Sequence, residues 1–199
     1  MKKKTCGSCT LCCQLVPVEE IGLPAFTRCP KLRSVVYATP GCSIYPDRPR
    51  SCKAWNCQWL VEDWPDDLRP DRCGVVVDII PELIWVNGKE MPAIQMWAAS
   101  GAEMSFMDDP IAAVVRAAVE QDHAVIWRWR GEDGKQTGRA ILRDPQTGQL
   151  VATAETPPSQ AFSRAVPMRD RVRRAITLEE KLDAKPFLTS SPPPKGKRR

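Results

Sequence analysis

Eight cysteines between Cys6 and Cys57 constrain this chain more than any other feature. The run opens Cys6-Gly7-Ser8-Cys9-Thr10-Leu11-Cys12-Cys13, continues through Cys29 and Cys42, and closes with Cys52 and Cys57. A chain advances at most about 3.6 Å per residue, so the first four sulfurs cannot lie far apart. Thiolates so crowded repel one another unless a cation or covalent bonds hold them. The block therefore reads as one or two metal sites, with Cys6, Cys9, Cys12, Cys13, Cys29, Cys42, Cys52 and Cys57 as candidate ligands. Cys73 lies outside it and reads as a spare thiol in apolar surroundings.

The choice between metal and disulfides turns on the compartment. Met1-Lys2-Lys3-Lys4 leads straight into the cysteines, with none of the apolar stretch that a signal peptide requires. No run approaches the roughly 20 apolar residues of a membrane span. The expected location is the cytoplasm, where thiols stay reduced and clustered cysteines serve metals more often than disulfides. The count of nine would also leave one thiol unpaired in a disulfide framework.

Soft thiolates select soft metals and exclude magnesium and calcium, which take oxygen ligands. Cys6 and Cys9 form a C-x2-C knuckle of the kind common in structural zinc sites, and Gly7 eases its tight turn. Cys6-x2-Cys9-x2-Cys12 equally repeats the triple spacing of bacterial ferredoxins. Two four-thiolate zinc sites, two iron–sulfur clusters, or one site with spare thiols all fit. Neighbours such as Cys12 and Cys13 tend to point in different directions, so they are expected to serve different metals or to include a spare. The turn Tyr45-Pro46-Asp47-Arg48-Pro49 follows Cys42, and Arg48 could help balance thiolate charge.

No catalytic set accompanies the thiols. A nucleophilic cysteine would want a nearby base, yet the lone histidine, His123, is distant in sequence and reads as a surface residue at a helix end. No glycine-rich cofactor loop is present.

Taken together, Cys6-x2-Cys9-x2-Cys12-Cys13, a lone cysteine, and Cys42-Ser43-Ile44-Tyr45-x2-Arg48-Pro49-x2-Cys52 resemble the CxxCxxCC (YkgJ-like) cysteine-cluster family of zinc- or iron-chelating bacterial proteins. The resemblance covers residues 6 to 57. It implies that the eight cysteines are the ligands and supplies no reaction. A flagellin lysine methylase is similar in its cysteine pattern, which brings an iron–sulfur enzyme into view.

The whole chain of 199 residues divides into three stretches. Residues 1–74 form a cysteine-rich, loop-rich region in which Pro17, Pro24, Pro30, Pro40, Pro46, Pro49, Pro65 and Pro70 break any long helix. Its apolar pieces, such as Ser34-Val35-Val36-Tyr37, are short, so bound metal is the expected staple.

Residues 75–155 predict a small α+β unit with a mostly antiparallel sheet. Val75–Ile80 and Leu83–Val86 read as strand, and Asn87-Gly88 marks a hairpin turn into a strand over Ala93–Ala98. Asp109 and Pro110 read as the cap and first position of a single helix running to about Gln121. Strands Ala124–Arg130 and Arg139–Arg143 follow, the latter expected to be the last.

Residues 156–199 are Pro-rich and basic, with a ragged helical stripe over 169–184 and an end that reads as disordered. From Arg164 onward there are 11 Lys and Arg against 4 Asp and Glu; the remainder carries 18 against 20. The basic character is thus a property of the tail rather than of a folded face. The tail and Trp127-Arg128-Trp129-Arg130 could contact nucleic acid, but the alternation fits better a strand with tryptophans inward and arginines outward. The expected protein is a cytosolic chelator of zinc or iron. An iron–sulfur protein of electron transfer or protein modification is the main alternative, a nucleic-acid partner is disfavoured, and no membrane is involved.

Overall fold

The computed structural model describes residues 4–33, 41–86, 89–144 and 146–152. The Asn87-Gly88 turn, Ser34–Tyr37, and the whole basic tail with its 169–184 stripe lie outside the described residues.

A five-stranded sheet organises the molecule, in the order β1 (Val75–Val86), β2 (Lys89–Ala98), β3 (Ala124–Arg130), β4 (Gln136–Arg143) and β5 (Leu150–Ala152). Three neighbouring pairs are antiparallel, and β2 pairs parallel with β3. The α+β class is therefore as expected, with a mixed sheet. Parallel neighbours need a crossover, and a helix over Ile111–Glu120 lies in this connection.

Several boundaries differ from the sequence reading. The two apolar runs at 75–80 and 83–86 are one strand, with a register irregularity between Ile80 and Ile84. Strand β2 begins at Lys89, because pairing with β1 recruits polar residues that have no strand signal of their own. Arg139–Arg143 is not the last strand, since β5 pairs with its end.

The helix start also differs. Asp109 does not cap it: the Asp109–Pro110 bond is cis, Pro110 occupies the cap position, and the Asp109 carboxylate accepts from Arg116 at 2.8 Å. Ile111, Val114, Val115, Ala118 and Val119 nevertheless form the buried stripe that their spacing predicts.

That stripe packs with Val125, Trp127 and Ile141 on one sheet face. Trp127 is fully buried, with its indole N–H donating to the Glu103 carbonyl at 2.8 Å, and Phe106 meets its ring edge-on. The tryptophans of the Trp-Arg-Trp-Arg run thus face the core, as the period-two reading holds. Arg128 is not simply solvated: it lies over the Trp97 ring and donates to Gln95, which donates in turn to Asp78. The opposite face gathers Ala93, Ala124, Ile126, Ala140 and Leu142.

Before the sheet come short helical turns: α1 (Cys12–Leu15), α2 (Arg50–Ala54), α3 (Gln58–Val61) and α4 (Pro70–Cys73), which makes the Ile111–Glu120 helix α5. Their length reflects the prolines. The single-helix expectation holds only for helices longer than these turns. Leu15, Trp59, Trp64 and Leu68 are buried in the same apolar cluster as Val75, Val76 and Val77. With α3 and α4 packed against β1, the three valines lie almost wholly out of water on both faces, which explains an apolar run in place of alternation. The cysteine-rich region therefore shares a hydrophobic core with the sheet.

Candidate metal centre

Each cysteine is placed by a local backbone device. Gly7, at φ +52°, makes the tight turn in which the Cys9 N–H donates to the Cys6 carbonyl at 2.8 Å. Cys12 and Cys13 begin α1. The Cys29 N–H donates to the Cys13 carbonyl at 2.8 Å, so the returning chain is tied to α1. Cys42 pairs with Leu32 across an isolated β-bridge, and Ser43 N–H donates to Lys31. Tyr45–Asp47 forms a 3-10 turn as expected, closed by the Asp47 N–H on the Ile44 carbonyl. Cys52 sits in α2 and Cys57 precedes α3.

These devices sort the thiols into two neighbourhoods that meet at α1. In the first, the charges of Cys6 and Cys57 act on Cys12, and those of Cys6 and Cys9 act on Cys57. In the second, Cys13, Cys29 and Cys42 act on Cys52. The two neighbourhoods overlap at Cys13, whose charge also acts on Cys6 and whose sulfur meets that of Cys12.

Cys12 and Cys13 do not diverge as adjacent side chains were expected to. The helical turn brings their sulfurs to 4.0 Å, close to the roughly 3.8 Å edge of a tetrahedron with 2.3 Å zinc–sulfur bonds, the separation of two ligands of one ion. Either sulfur can donate in this hydrogen bond, which raises the Cys12 thiol and lowers Cys13 to about 7. The Arg48 guanidinium adds to the lowering of Cys13 and also acts on Cys6, in keeping with the charge-balancing part assigned to it from sequence. Arg48 itself stacks 4.2 Å from the Tyr45 ring centre.

Burial raises the Cys6 and Cys9 thiols and pushes Cys57 up to about 11. Opposing this, backbone N–H groups point at sulfur: Leu11 and Asp71 at Cys9, Trp59 and Leu60 at Cys57. An N–H two residues beyond a cysteine, aimed at its sulfur, stabilises a thiolate. Such donors suit metal-bound sulfur better than a neutral thiol, which is itself a weak donor.

Residues that the sequence reading passed over complete the first set. Arg69 donates to Ser8 Oγ at 2.7 Å and reaches the Cys6 carbonyl at 3.5 Å. It also forms an ion pair with Asp71 at 2.9 Å and lies 5.8 Å from the Trp59 ring centre. Its Nε is close to that carboxylate without an aligned hydrogen bond, so charge rather than directional bonding holds the pair. Lys4 donates to the Glu62 and Trp64 carbonyls at 2.8 and 2.6 Å and lies 4.9 Å from the same indole. Nothing in the local sequence of Arg69-Pro70-Asp71 connects it with a knuckle some sixty residues earlier.

Cys73 stands apart. Its thiol donates to the Val75 carbonyl at 3.4 Å, packs against the core, and is pushed up to about 11 by burial. His123 lies just past α5 with Nδ1 2.9 Å from the Gln121 carbonyl, far from any thiol set in the chain.

All nine cysteines are free. Among the described residues no three of His, Cys, Asp or Glu stand in the arrangement of a formed ion site. The neighbourhoods are gathered without being closed. Their all-sulfur composition and inward-pointing N–H groups suit a soft ion. No helix among the described residues is long and apolar enough to cross a membrane. No protein-family model, curated protein or solved structure matches this chain.

Proposed function

We propose that this protein binds zinc or iron through the clustered thiolates of Cys6, Cys9, Cys12, Cys13, Cys29, Cys42, Cys52 and Cys57. The observation that carries the reading is the gathering of thiols from separate segments around Cys12 and Cys13, whose sulfurs are 4.0 Å apart. The N–H groups aimed at Cys9 and Cys57 and the cations Arg48 and Arg69 support it, since each offsets thiolate charge. Bound metal would then add to the apolar contacts of Leu15, Trp59 and Leu68 in holding the loop-rich region to the sheet. Nine free thiols suit a reducing compartment, and the cytoplasm is the location we infer.

The test is anaerobic purification of the full chain, followed by metal and acid-labile sulfide analysis and a visible spectrum on one sample. Colourless protein with two zinc ions, or brown protein with iron, supports the reading and chooses the metal. Protein that folds with all eight thiols titratable and takes up neither metal under reducing conditions refutes it. Iron with sulfide would favour electron transfer or protein modification as the role.

A further inference from the structure

Cys12 and Cys13 are adjacent in the chain and part-exposed, and the opening turn of α1 holds their sulfurs 4.0 Å apart. A disulfide bond is about 2.05 Å long, so closing one here needs an approach of about 2 Å. Neighbouring Cα atoms lie about 3.8 Å apart across a trans peptide, short of the roughly 4.4–6.8 Å that ordinary disulfides span. A bond between these two sulfurs is therefore strained, and strained disulfides are the readily reduced ones. Such a bond suits reversible closure rather than permanent cross-linking.

The peptide between the two residues also closes α1. Its N–H, on Cys13, donates to the Thr10 carbonyl at 3.0 Å, and its carbonyl, on Cys12, accepts from Val16 N–H at 3.0 Å. The next carbonyls anchor the returning chain: Cys13 accepts from Cys29 N–H at 2.8 Å and Leu15 from Phe26 N–H at 2.9 Å. Leu15 is buried in the core, and the Phe26 ring lies 5.7 Å from that of Trp97 on β2. A ring closed between Cys12 and Cys13 must rotate their shared peptide, which carries both its groups out of these bonds. A helix of four residues cannot hold its turn without them.

We propose that Cys12 and Cys13 are a peroxide-reactive dithiol that closes to a vicinal disulfide and unwinds α1. One thiolate attacks a peroxide oxygen, the O–O bond breaks, and that sulfur becomes a sulfenic acid as hydroxide leaves. The neighbouring thiol gives its proton to the hydroxide and attacks the sulfenic sulfur; the S–S bond forms and the S–O bond breaks. The hydroxyl so released takes a proton from water's pool in exchange for the one the first thiol gave up. The sum is two thiols and one hydrogen peroxide giving one disulfide and two waters, with two electrons passing from sulfur to oxygen. A small dithiol reverses the bond by exchange. The pair reacts with or without metal; where metal is bound, closure removes two of its candidate ligands.

The experiment treats the full chain with equimolar hydrogen peroxide, both as purified anaerobically and after reduction and removal of metal. Remaining thiols are alkylated, and the tryptic peptide 5–28, which holds Cys6, Cys9, Cys12 and Cys13, is mapped by mass spectrometry. The expected product lacks two hydrogens, carries alkylated Cys6 and Cys9, and joins Cys12 to Cys13; dithiothreitol should restore it in full. The stripped sample makes this outcome independent of metal binding.

Amide hydrogen exchange reads the unwinding. The Cys13 and Val16 amides should exchange about 3- to 10-fold faster in the oxidised protein, the factor carried by one net hydrogen bond, and should slow again on reduction. Cys12→Ser should show neither the bond nor the peroxide-dependent change. In the stripped wild-type protein, peroxide left unconsumed, or a disulfide joining Cys12 or Cys13 to any other cysteine in place of each other, would overturn the dithiol. A Cys12–Cys13 bond with unchanged amide exchange would overturn its coupling to α1.

Discussion

Gly74 joins the cysteine-rich region to the sheet, and replacing it with alanine tests that joint quantitatively. It ends α4 at φ +73°, where its N–H donates to Pro70, and its carbonyl accepts from Ala99 at 2.8 Å. A Cβ at this position would lie 2.9 Å from the Cβ of Ala102, against about 3.5–4.0 Å for ordinary carbon contact. The left-handed backbone costs an L-residue about 1–2 kcal/mol, and overpacking a well-filled site costs about 1–3 kcal/mol. Gly74→Ala should therefore destabilise by about 2–5 kcal/mol.

Gly101 supplies the control. It has φ +86° and nothing within 4 Å of a built Cβ, so Gly101→Ala should show only the backbone part, about 1 kcal/mol. Equilibrium urea denaturation of both variants measures the difference. A cycle with Ala102→Gly should recover the steric part and leave the backbone part. Equal losses for Gly74→Ala and Gly101→Ala, or no coupling to Ala102→Gly, would refute the reasoning.

Other outcomes follow from the same contacts. Arg69→Met removes the link between the Ser8 and Asp71 sides of the first thiol set, and should weaken zinc binding about 10-fold in a competitive chelator titration, a loss of about 1.4 kcal/mol; Arg69→Lys, lacking the forked donor, should restore little. Glu20 accepts from Ser51 N–H, Ser51 Oγ and Arg50 N–H at the start of α2, and those donors, Ser51 N–H first, hold its carboxyl below the usual range. The stability it contributes is present above the unfolded carboxyl pKa and is lost as pH falls through the folded value. Glu20→Gln should cost about 1 kcal/mol at neutral pH and nearly nothing in acid, read from urea midpoints. Burial raises Cys57 and Cys73 to about 11 from an ordinary value of 9.0, so the stability these two neutral thiols contribute to the reduced, metal-free protein should be fully present below pH 9 and be lost from there towards 11. Thermal melts across that window check the slope, and zinc loading should flatten it by holding Cys57 as thiolate.

The strands, the α5 stripe and the inward tryptophans were legible because period-two and helical spacing report burial directly. The α5 start was not, because Asp109 found a better partner in Arg116 than the helix N-terminus. Strand β5 was missed because Leu150–Ala152 is short and exposed, and is a strand only through its pairing with β4. The candidate ligands were legible as residue types. Their grouping was not, since Cys57 reaches Cys6 and Cys12 only through the packing of α3 and β1 in the shared core.

The sequence by itself determined the chemistry on offer: a crowded set of thiols, too many for a core and wrong for hard cations, followed by a chain able to build a sheet with one long helix. Tertiary structure decided which thiols are neighbours, which cations stand beside them, and that Cys57 is the buried one. Sulfur identity and strand periodicity are local properties of the chain. Thiol grouping and the reach of Arg69 across sixty residues depend on long-range contacts whose geometry is set only when Leu15, Trp59 and Leu68 pack on the sheet.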